Sequence, residues 1–331
     1  MASIYNHNIH HAVDAPQATK ARRIPLSRVS NNVHASSRNV PVQRRIPREV
    51  APPPKVERME PFNFTPVALG NPADVLDVAQ YENEIYRTLR QCEKKAPTLS
   101  FHQTDITLTD RNLLVDAVCR VHYKLGLTTN TFYRFLGILD RYFTVSQVSQ
   151  SNLKVVAAAC FLIASKIEDI YPAQSQDLIS LMEQAFSQRE LFSTEISVIN
   201  AIGFDTTFGT PLFYLTHFMR INGQTKESLL LARYILEISQ SNEHFYGMPP
   251  SKMAAIAVFV TRILTKEPVR WPQTLSSFTQ YSENDIGPSA NWIREMLIEE
   301  DRPETRFMRR KYGSELFLSV SHISHIPPTF Y

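Results

Sequence analysis

A run of small and apolar residues without a single charge most constrains how this chain folds. Residues 155–163 read VVAAACFLI, and this composition predicts a helix buried on nearly every side, with alanines where other helices cross it. The run is too short to span a bilayer. Lys166 follows while the helical pattern continues, and the acids Glu168 and Asp169 come next, before Pro172 ends the helix. A buried helix that surfaces with a lysine and two acids predicts either a solvated helix end or a binding site.

The second half of the chain repeats this pattern, since residues 254–260 read AAIAVFV. Apolar residues around both runs recur at three- and four-residue steps, which predicts helices, with Thr109 and Thr210 as N-terminal caps of two of them. The first predicted helix covers residues 74–92. A first set of five helices covers 108–125, 130–145, 152–168, 175–185 and 188–202. A second set consists of a helix that begins at 211 and of helices at 224–239, 250–264, 275–281 and 284–298. One alanine-rich central helix in each half predicts an all-α fold of two tandem five-helix domains.

These patterns divide the chain into five parts. The first part is rich in Pro, Asn, Ser and His and holds no helical period, which predicts a disordered regulatory tail. The parts are the tail at 1–70, an N-terminal helix and linker at 71–107, the first domain at 108–206, the second at 207–300 and a C-terminal extension at 301–331. We expect the extension to pack across the helical domains.

Composition narrows the function classes. A net charge of +3 in 331 residues does not by itself argue for a nucleic-acid partner. Cys92, Cys119 and Cys160 have no metal-ligand spacing, so we expect reduced thiols in an intracellular protein and no metal. The sequence has no phosphate-cradling glycine loop and no nucleophile elbow. We therefore expect no cofactor and no enzymatic activity, and the polar first residues lead us to expect neither a secretory signal nor a membrane partner.

Three motifs in matching order resemble a known family. Residues 164–173 (ASKIEDIYPA) resemble the signature of the cyclin box, residues 110–118 (DRNLLVDAV) its MRAILVDWL motif, and residues 131–143 (TFYRFLGILDRYF) its second helix. The resemblance is greatest to mitotic (B-type) cyclins and extends to about residue 312. It implies two tandem cyclin-box domains and a regulatory subunit that binds and activates a cyclin-dependent protein kinase.

The resemblance also implies which residues contact the kinase. Lys166 and Glu195 match the lysine and glutamate that grip kinase backbone groups as a charge-assisted clamp. The apolar contacts implied around them are Ile163, Ile167, Phe204 and Ile85. Core packing is an open alternative for Ile163 and Phe204. Arg111 and Asp140 match a buried ion pair that ties the first two helices of the box.

A second set of positions matches the family's substrate-docking groove, with departures. The corresponding residues are Leu113, Leu114, Ala117, Arg120 and Lys154. Ala117 stands where the family has a tryptophan, and Arg120 and Lys154 replace an acidic group and an amide. These changes predict poor docking of Arg-x-Leu substrates. Two interpretations of the altered groove are open. The groove prefers acidic or phosphorylated peptides, or it has lost its binding function.

One segment of the tail matches a degradation signal. Arg23, Leu26, Val29 and Asn31 have the R-x-x-L-x-x-hydrophobic-x-N spacing of the destruction box of mitotic cyclins. A ubiquitin ligase of mitotic exit reads such a box as an extended peptide. Residues 44–47 repeat residues 22–25 (RRIP), but Arg48 stands in the place of Leu26, so only the first copy matches the destruction box. The resemblance thus implies removal by ubiquitin-dependent proteolysis.

We therefore expect a mitotic cyclin in the nucleus and cytoplasm, whose partners are a kinase, its substrates and a ubiquitin ligase. Two arginine pairs, at 22–23 and 44–45, are weak nuclear-import signals. The alternative is a cyclin-fold transcription or scaffold protein that binds nucleic acid or other proteins without activating a kinase. The Lys166/Glu195 pair favours the first interpretation, because only kinase binding requires it.

Overall fold

The computed structural model of the protein describes Phe64 and residues 80–223, 225–299 and 302–331. The tail, apart from Phe64, and the destruction-box-like segment lie outside the described residues. Within them, every regular element is helical. The α-helices are α1 (Glu82–Lys95), α2 (Leu108–Leu125), α3 (Thr129–Val145), α4 (Leu153–Glu168), α5 (Ser175–Leu181), α6 (Gln188–Ala201), α7 (Pro211–Ile221), α8 (Lys226–Ser239), α9 (Pro250–Leu264), α10 (Gln273–Thr279), α11 (Glu283–Ile298) and α12 (Arg306–Tyr312).

The all-α fold and its duplication are confirmed. In the first domain (α2–α6), the central helix α4 packs against α3 and α6, and in the second (α7–α11), α9 packs against α7, α8 and α11. Residues 156–165 of α4 are all buried, as are residues 254–262 of α9. Alanine at the crossings lets neighbouring helices approach closely, so each domain is built around its least polar helix.

Several helix ends differ from the sequence-based prediction by a few residues; α10, for example, is Gln273–Thr279 rather than 275–281. Two of the differences have a clear local cause. The cap of α2 is Thr107 rather than Thr109, because Thr107 Oγ1 accepts from the Asp110 N–H while the Asp110 carboxylate accepts from the Thr107 N–H at 2.8 Å. Helix α5 ends at Leu181, earlier than predicted. Glu183 and Gln184 have φ angles of 64° and 53°, and left-handed backbone cannot continue an α-helix.

Helix α1 precedes the first domain in sequence but is anchored on the second. Tyr86 is fully buried, and its ring packs against Phe278, Tyr214 and Phe218. One turn further along α1, the Arg90 guanidinium donates to the Thr279 carbonyl at 3.1 Å. The apolar and charged contacts together fix the helix that leads into the first domain.

The predicted ion pair between Arg111 and Asp140 is confirmed. The Arg111 guanidinium donates two hydrogen bonds to the Asp140 carboxylate, at 2.8 and 2.6 Å, and both side chains are nearly inaccessible to solvent. Arg111 also donates to the Gln240 carbonyl at the end of α8. The pair therefore joins α2 and α3 to each other and to the second domain.

A buried polar cluster attaches the C-terminal extension to both domains. The Glu237 carboxylate on α8 accepts from Lys311 Nζ at 2.7 Å, from the Tyr312 hydroxyl at 2.7 Å and from the Cys119 thiol at 2.8 Å. The Asp116 carboxylate on α2 accepts from the Phe307 N–H at 3.0 Å, at the start of α12. We refer to Cys119, Glu237, Lys311 and Tyr312 as the Glu237 cluster.

Buried His122 makes the stability of the fold depend on pH. Its Nε2 lies 2.8 Å from the Thr128 carbonyl, and its Nδ1 has no hydrogen-bond partner among the described residues. Burial, with a smaller effect of Lys311, lowers the pKa of His122 from 6.5 to about 4. Between these values only the unfolded chain takes up the proton, so its contribution to stability is complete above pH 6.5 and is lost as pH falls toward 4.

We therefore expect His122 to account for about 3 kcal/mol of the stability lost between pH 6.5 and 4. His122→Gln keeps a donor for the Thr128 carbonyl but does not titrate. Urea unfolding at several pH values should show a shallower acid-side decline for this variant. Parallel curves for the two proteins would contradict the assignment.

Candidate functional site

The last turn of α4 carries a lysine that reaches toward α6. Ser165 is buried, whereas Lys166 is exposed, and Lys166 Nζ donates to Glu195 Oε1. The side chains of Lys166 and Glu195 are 47% and 17% exposed. The sequence motifs predict that both groups belong to one site, and the structure brings them into direct contact, with Glu195 less exposed than Lys166.

Helix α6 is oriented so that one of its faces packs inward and another meets solvent. A capping box between Ser187 and Glu190 fixes its start. Leu191 and Val198 are buried, while Phe192 and Ile196, which flank Glu195, are exposed. Sequence reasoning did not include these two residues in the site. The signal was their position one helical turn apart on the side of α6 that lacks the buried leucine and valine.

Further apolar side chains are exposed just after Lys166 in sequence and in the loop that follows α6. Phe204, in the loop after α6, is 66% exposed, Ile167 is 45% exposed, and both Ile170 and Tyr171 are more exposed still. Large apolar side chains concentrated in two short segments are typical of a surface that binds another protein. We call Lys166, Glu195, Ile167, Ile170, Tyr171 and Phe204 the clamp surface.

The remaining predicted contact residues are less accessible. Ile163 is 5% exposed and lies in the core of the first domain, which corresponds to the packing alternative. Ile85 on α1 is half-buried.

The two acids after Lys166 fix the clamp surface rather than solvating a helix end. The Glu168 carboxylate accepts from Arg134 Nε on α3 at 2.6 Å. The Asp169 carboxylate accepts from the Thr128 N–H at 2.9 Å and from the Thr131 hydroxyl, at the start of α3. The solvated-end interpretation was therefore wrong for these two side chains. They tie the end of α4 to α3 and hold the exposed residues that follow.

The groove positions lie on α2 and at the start of α4. Leu113, Arg120 and Lys154 are exposed, and Leu114 and Ala117 are half-buried. Sequence reasoning missed Glu183, whose carboxylate accepts from Lys154 Nζ at 3.0 Å. The Lys154 hydrogen bond and charge, with a smaller contribution from Arg120, lower the pKa of Glu183. An acid thus accompanies the two cations of the altered groove.

The described part of the chain contains no group of three or more His, Cys, Asp or Glu side chains placed to hold a metal ion. Among the helices of that part, none is long and apolar enough to cross a membrane.

The described residues thus form two five-helix domains, the first of which exposes apolar side chains around a lysine–glutamate pair. The family model of the cyclin N-terminal domain matches residues 81–207, and that of the cyclin C-terminal domain matches residues 209–326. The chain therefore belongs to the cyclin family.

Individual relatives agree with this assignment. The chain is 29% identical to a G2/mitotic-specific cyclin-B of Marthasterias glacialis over 74% of its length and 64% of the relative's. It is 30% identical to cyclin-A1 of Mus musculus, over 75% of its length and 60% of the relative's. The chain thus spans less than two thirds of the length of these curated relatives. A viral cyclin of herpesvirus saimiri has the same fold, with a TM-score of 0.56 and 22% identity over 66% of this chain and 97% of that one.

Proposed function

We propose that this cyclin is the non-catalytic regulatory subunit of a cyclin-dependent protein kinase, which it binds through the clamp surface and activates. The observation that carries the proposal is the contact between Lys166 and Glu195, flanked by exposed apolar residues on α6 and in the loop after it. Membership of the cyclin family and similarity to B- and A-type cyclins support it.

The clamp suits recognition of a kinase backbone. A lysine ammonium has donors left for carbonyl groups after it pairs with Glu195, and a carboxylate has lone pairs left for amide N–H groups. Because the two charges already compensate each other, the kinase can cover them without burying an unpaired charge. The apolar side chains around them supply the area whose burial stabilises the complex.

Activation follows as a shift between two kinase conformations. A protein kinase is active when its β3 lysine and the glutamate of its mobile αC helix are paired, because this pair orients ATP. A partner that binds only the conformation with the helix turned inward stabilises it by the difference between its two affinities. The cyclin supplies no reacting group, so its whole effect lies in this difference.

The test is a titration against a panel of purified cyclin-dependent kinases. We expect saturable binding by calorimetry to at least one of them, and a rise in phosphorylation of a short peptide substrate with the same concentration dependence. Binding to none of the kinases, together with binding of a nucleic-acid probe, would overturn the proposal in favour of the transcription-type alternative.

We also propose a mitotic role that ends by proteolysis, supported by the destruction-box spacing in the tail and by the mitotic cyclins among the relatives. The partners beyond the kinase would be a ubiquitin ligase of mitotic exit and the kinase's substrates. We propose a nuclear and cytoplasmic location on the basis of the two arginine pairs, which imaging of a tagged chain would test.

Removing the degradation signal should prolong the life of the protein. Arg23→Ala with Leu26→Ala deletes both anchor side chains that a receptor would bind, so its half-life in extract leaving mitosis should be several times that of wild type. Arg45→Ala is the matched control, because the second arginine pair lacks the leucine. Equal half-lives for the double variant and wild type would contradict the degradation signal.

A further inference from the structure

The loop between the two cyclin boxes contains a phenylalanine held between two arginines. The Phe208 ring lies against α3, with the Arg134 guanidinium 4.7 Å and the Arg141 guanidinium 3.7 Å from its centroid. Gly137 lies between the two arginines on the same face of α3, and a Cβ atom there would overlap the ring. The slot for Phe208 therefore exists because α3 has a glycine at this position. We call Arg134, Gly137, Arg141 and Phe208 the linker latch.

The same two arginines hold the backbone of the loop. Arg134 Nη1 donates to the carbonyl oxygens of Thr206, at 2.8 Å, and Phe208, at 2.7 Å. Arg141 Nε donates to the Asp205 carboxylate at 3.4 Å. Arg134 is itself oriented by Glu168, which follows the clamp residues on α4. The latch therefore connects the loop to both α3 and the end of α4.

The residue just before this segment has a strained backbone. Phe204 has a φ of 59° and follows Gly203 at 61°. A residue with a bulky side chain rarely adopts the left-handed backbone conformation that glycine adopts easily. Such a conformation persists only where surrounding contacts hold it in place. The Phe204 ring is nevertheless 66% exposed, so its own side chain gains little within the chain. The Phe204 N–H donates to the Ile199 carbonyl at 3.0 Å, which holds this backbone to the end of α6. The latch adds contacts that begin at the next residue and hold the loop on its other side.

We propose that the linker latch positions Phe204 for binding of the partner kinase. Arg134, Gly137 and Arg141 are positioning residues that act through Phe208 and the loop backbone and touch no partner. This inference rests on the proposed function for its consequence in binding, whereas the constraint on the loop can be measured in the free protein.

The first experiment uses the free full-length chain and no kinase. Hydrogen exchange of amides 203–208 should be at least about tenfold faster in Phe208→Ala than in wild type, with α4 unchanged. Gly137→Ala should have the same effect, because its methyl group displaces the ring without removing it. Phe317→Ala, which removes another half-buried ring from the C-terminal extension, is the control and should leave these amides unchanged.

The second experiment is a double-mutant cycle on kinase affinity, using the panel member that wild type binds most tightly. Phe208→Ala alone should weaken kinase binding about tenfold. In a chain that already carries Phe204→Ala, the same substitution should weaken binding less than about twofold, because the effects of residues that act as a unit do not add. Phe317→Ala should not change the affinity.

The outcomes separate the two proposals. If wild type binds no kinase of the panel, the proposed function fails while faster exchange in Phe208→Ala still supports the constraint on the loop. Unchanged exchange in both latch variants would overturn the latch. The role of the latch in positioning Phe204 would be overturned by either of two results. In the first, Phe208→Ala speeds exchange but leaves kinase affinity unchanged. In the second, Phe208→Ala weakens kinase binding equally whether residue 204 is phenylalanine or alanine.

Discussion

Replacing Lys166 and Glu195 together by alanine should abolish activation of the bound kinase and leave the melting temperature nearly unchanged. The pair lies at the surface of the free chain, with Lys166 about half exposed, and exposed pairs contribute only ~0.2–1 kcal/mol to stability. In the complex the same groups would be covered and bonded to kinase backbone. Losing such contacts costs about 2–5 kcal/mol of binding free energy each.

The chain offers a matched control in a second exposed lysine–glutamate pair. Lys154 also lies on α4 and donates to Glu183 at 3.0 Å, so Lys154→Ala with Glu183→Ala removes the same two charges from the same domain. We expect this control to activate the kinase normally on a peptide without a docking motif. Activation by the Lys166/Glu195 variant at wild-type concentrations would show that the kinase binds elsewhere.

Much of the fold can be predicted from local sequence patterns. The central helices α4 and α9 were predicted because a run of alanines and branched apolar residues has few other ways to be buried. Thr210 before Pro211 was predicted as a cap and is one, with its hydroxyl accepting from the Phe213 N–H. The Arg111–Asp140 pair followed from family motifs, which record a contact that periodicity alone does not.

Other features depend on contacts between distant parts of the chain. The early end of α5 rests on left-handed Glu183 and Gln184, which are not glycines and give no local signal. Arg134 donates to the carbonyls of Thr206 and Phe208, which follow it in the sequence by 72 and 74 positions. The Cys119 thiol and the Glu237 carboxylate are separated by 118 positions. Only the packed tertiary structure brings such groups together.

Lys311→Ala should destabilise the chain more than any of the other variants considered above. Glu237 is 1% exposed, and its charge is compensated by Lys311. Removing one partner of a buried ion pair costs about 3–5 kcal/mol, because the other charge stays buried alone. We expect a decrease of roughly 10 °C in the melting temperature at pH 7. Glu237→Gln with Lys311→Met removes both charges and is the control, with an expected loss of less than about 2 kcal/mol.

The pH dependence of this loss distinguishes an unpaired charge from lost packing. Burial alone would raise the pKa of Glu237, but Lys311, the Cys119 thiol and the Tyr312 hydroxyl together lower it below its usual 4.5. Its contribution in wild type is therefore present above that value and is lost as pH falls through the lowered folded pKa. In Lys311→Ala burial prevails and raises the folded pKa, so the variant gains stability relative to wild type as pH falls from 7 toward 5. Urea unfolding should show the gap between the two proteins narrowing over this range, and a gap independent of pH would mean that the lysine stabilises the extension only through its aliphatic chain.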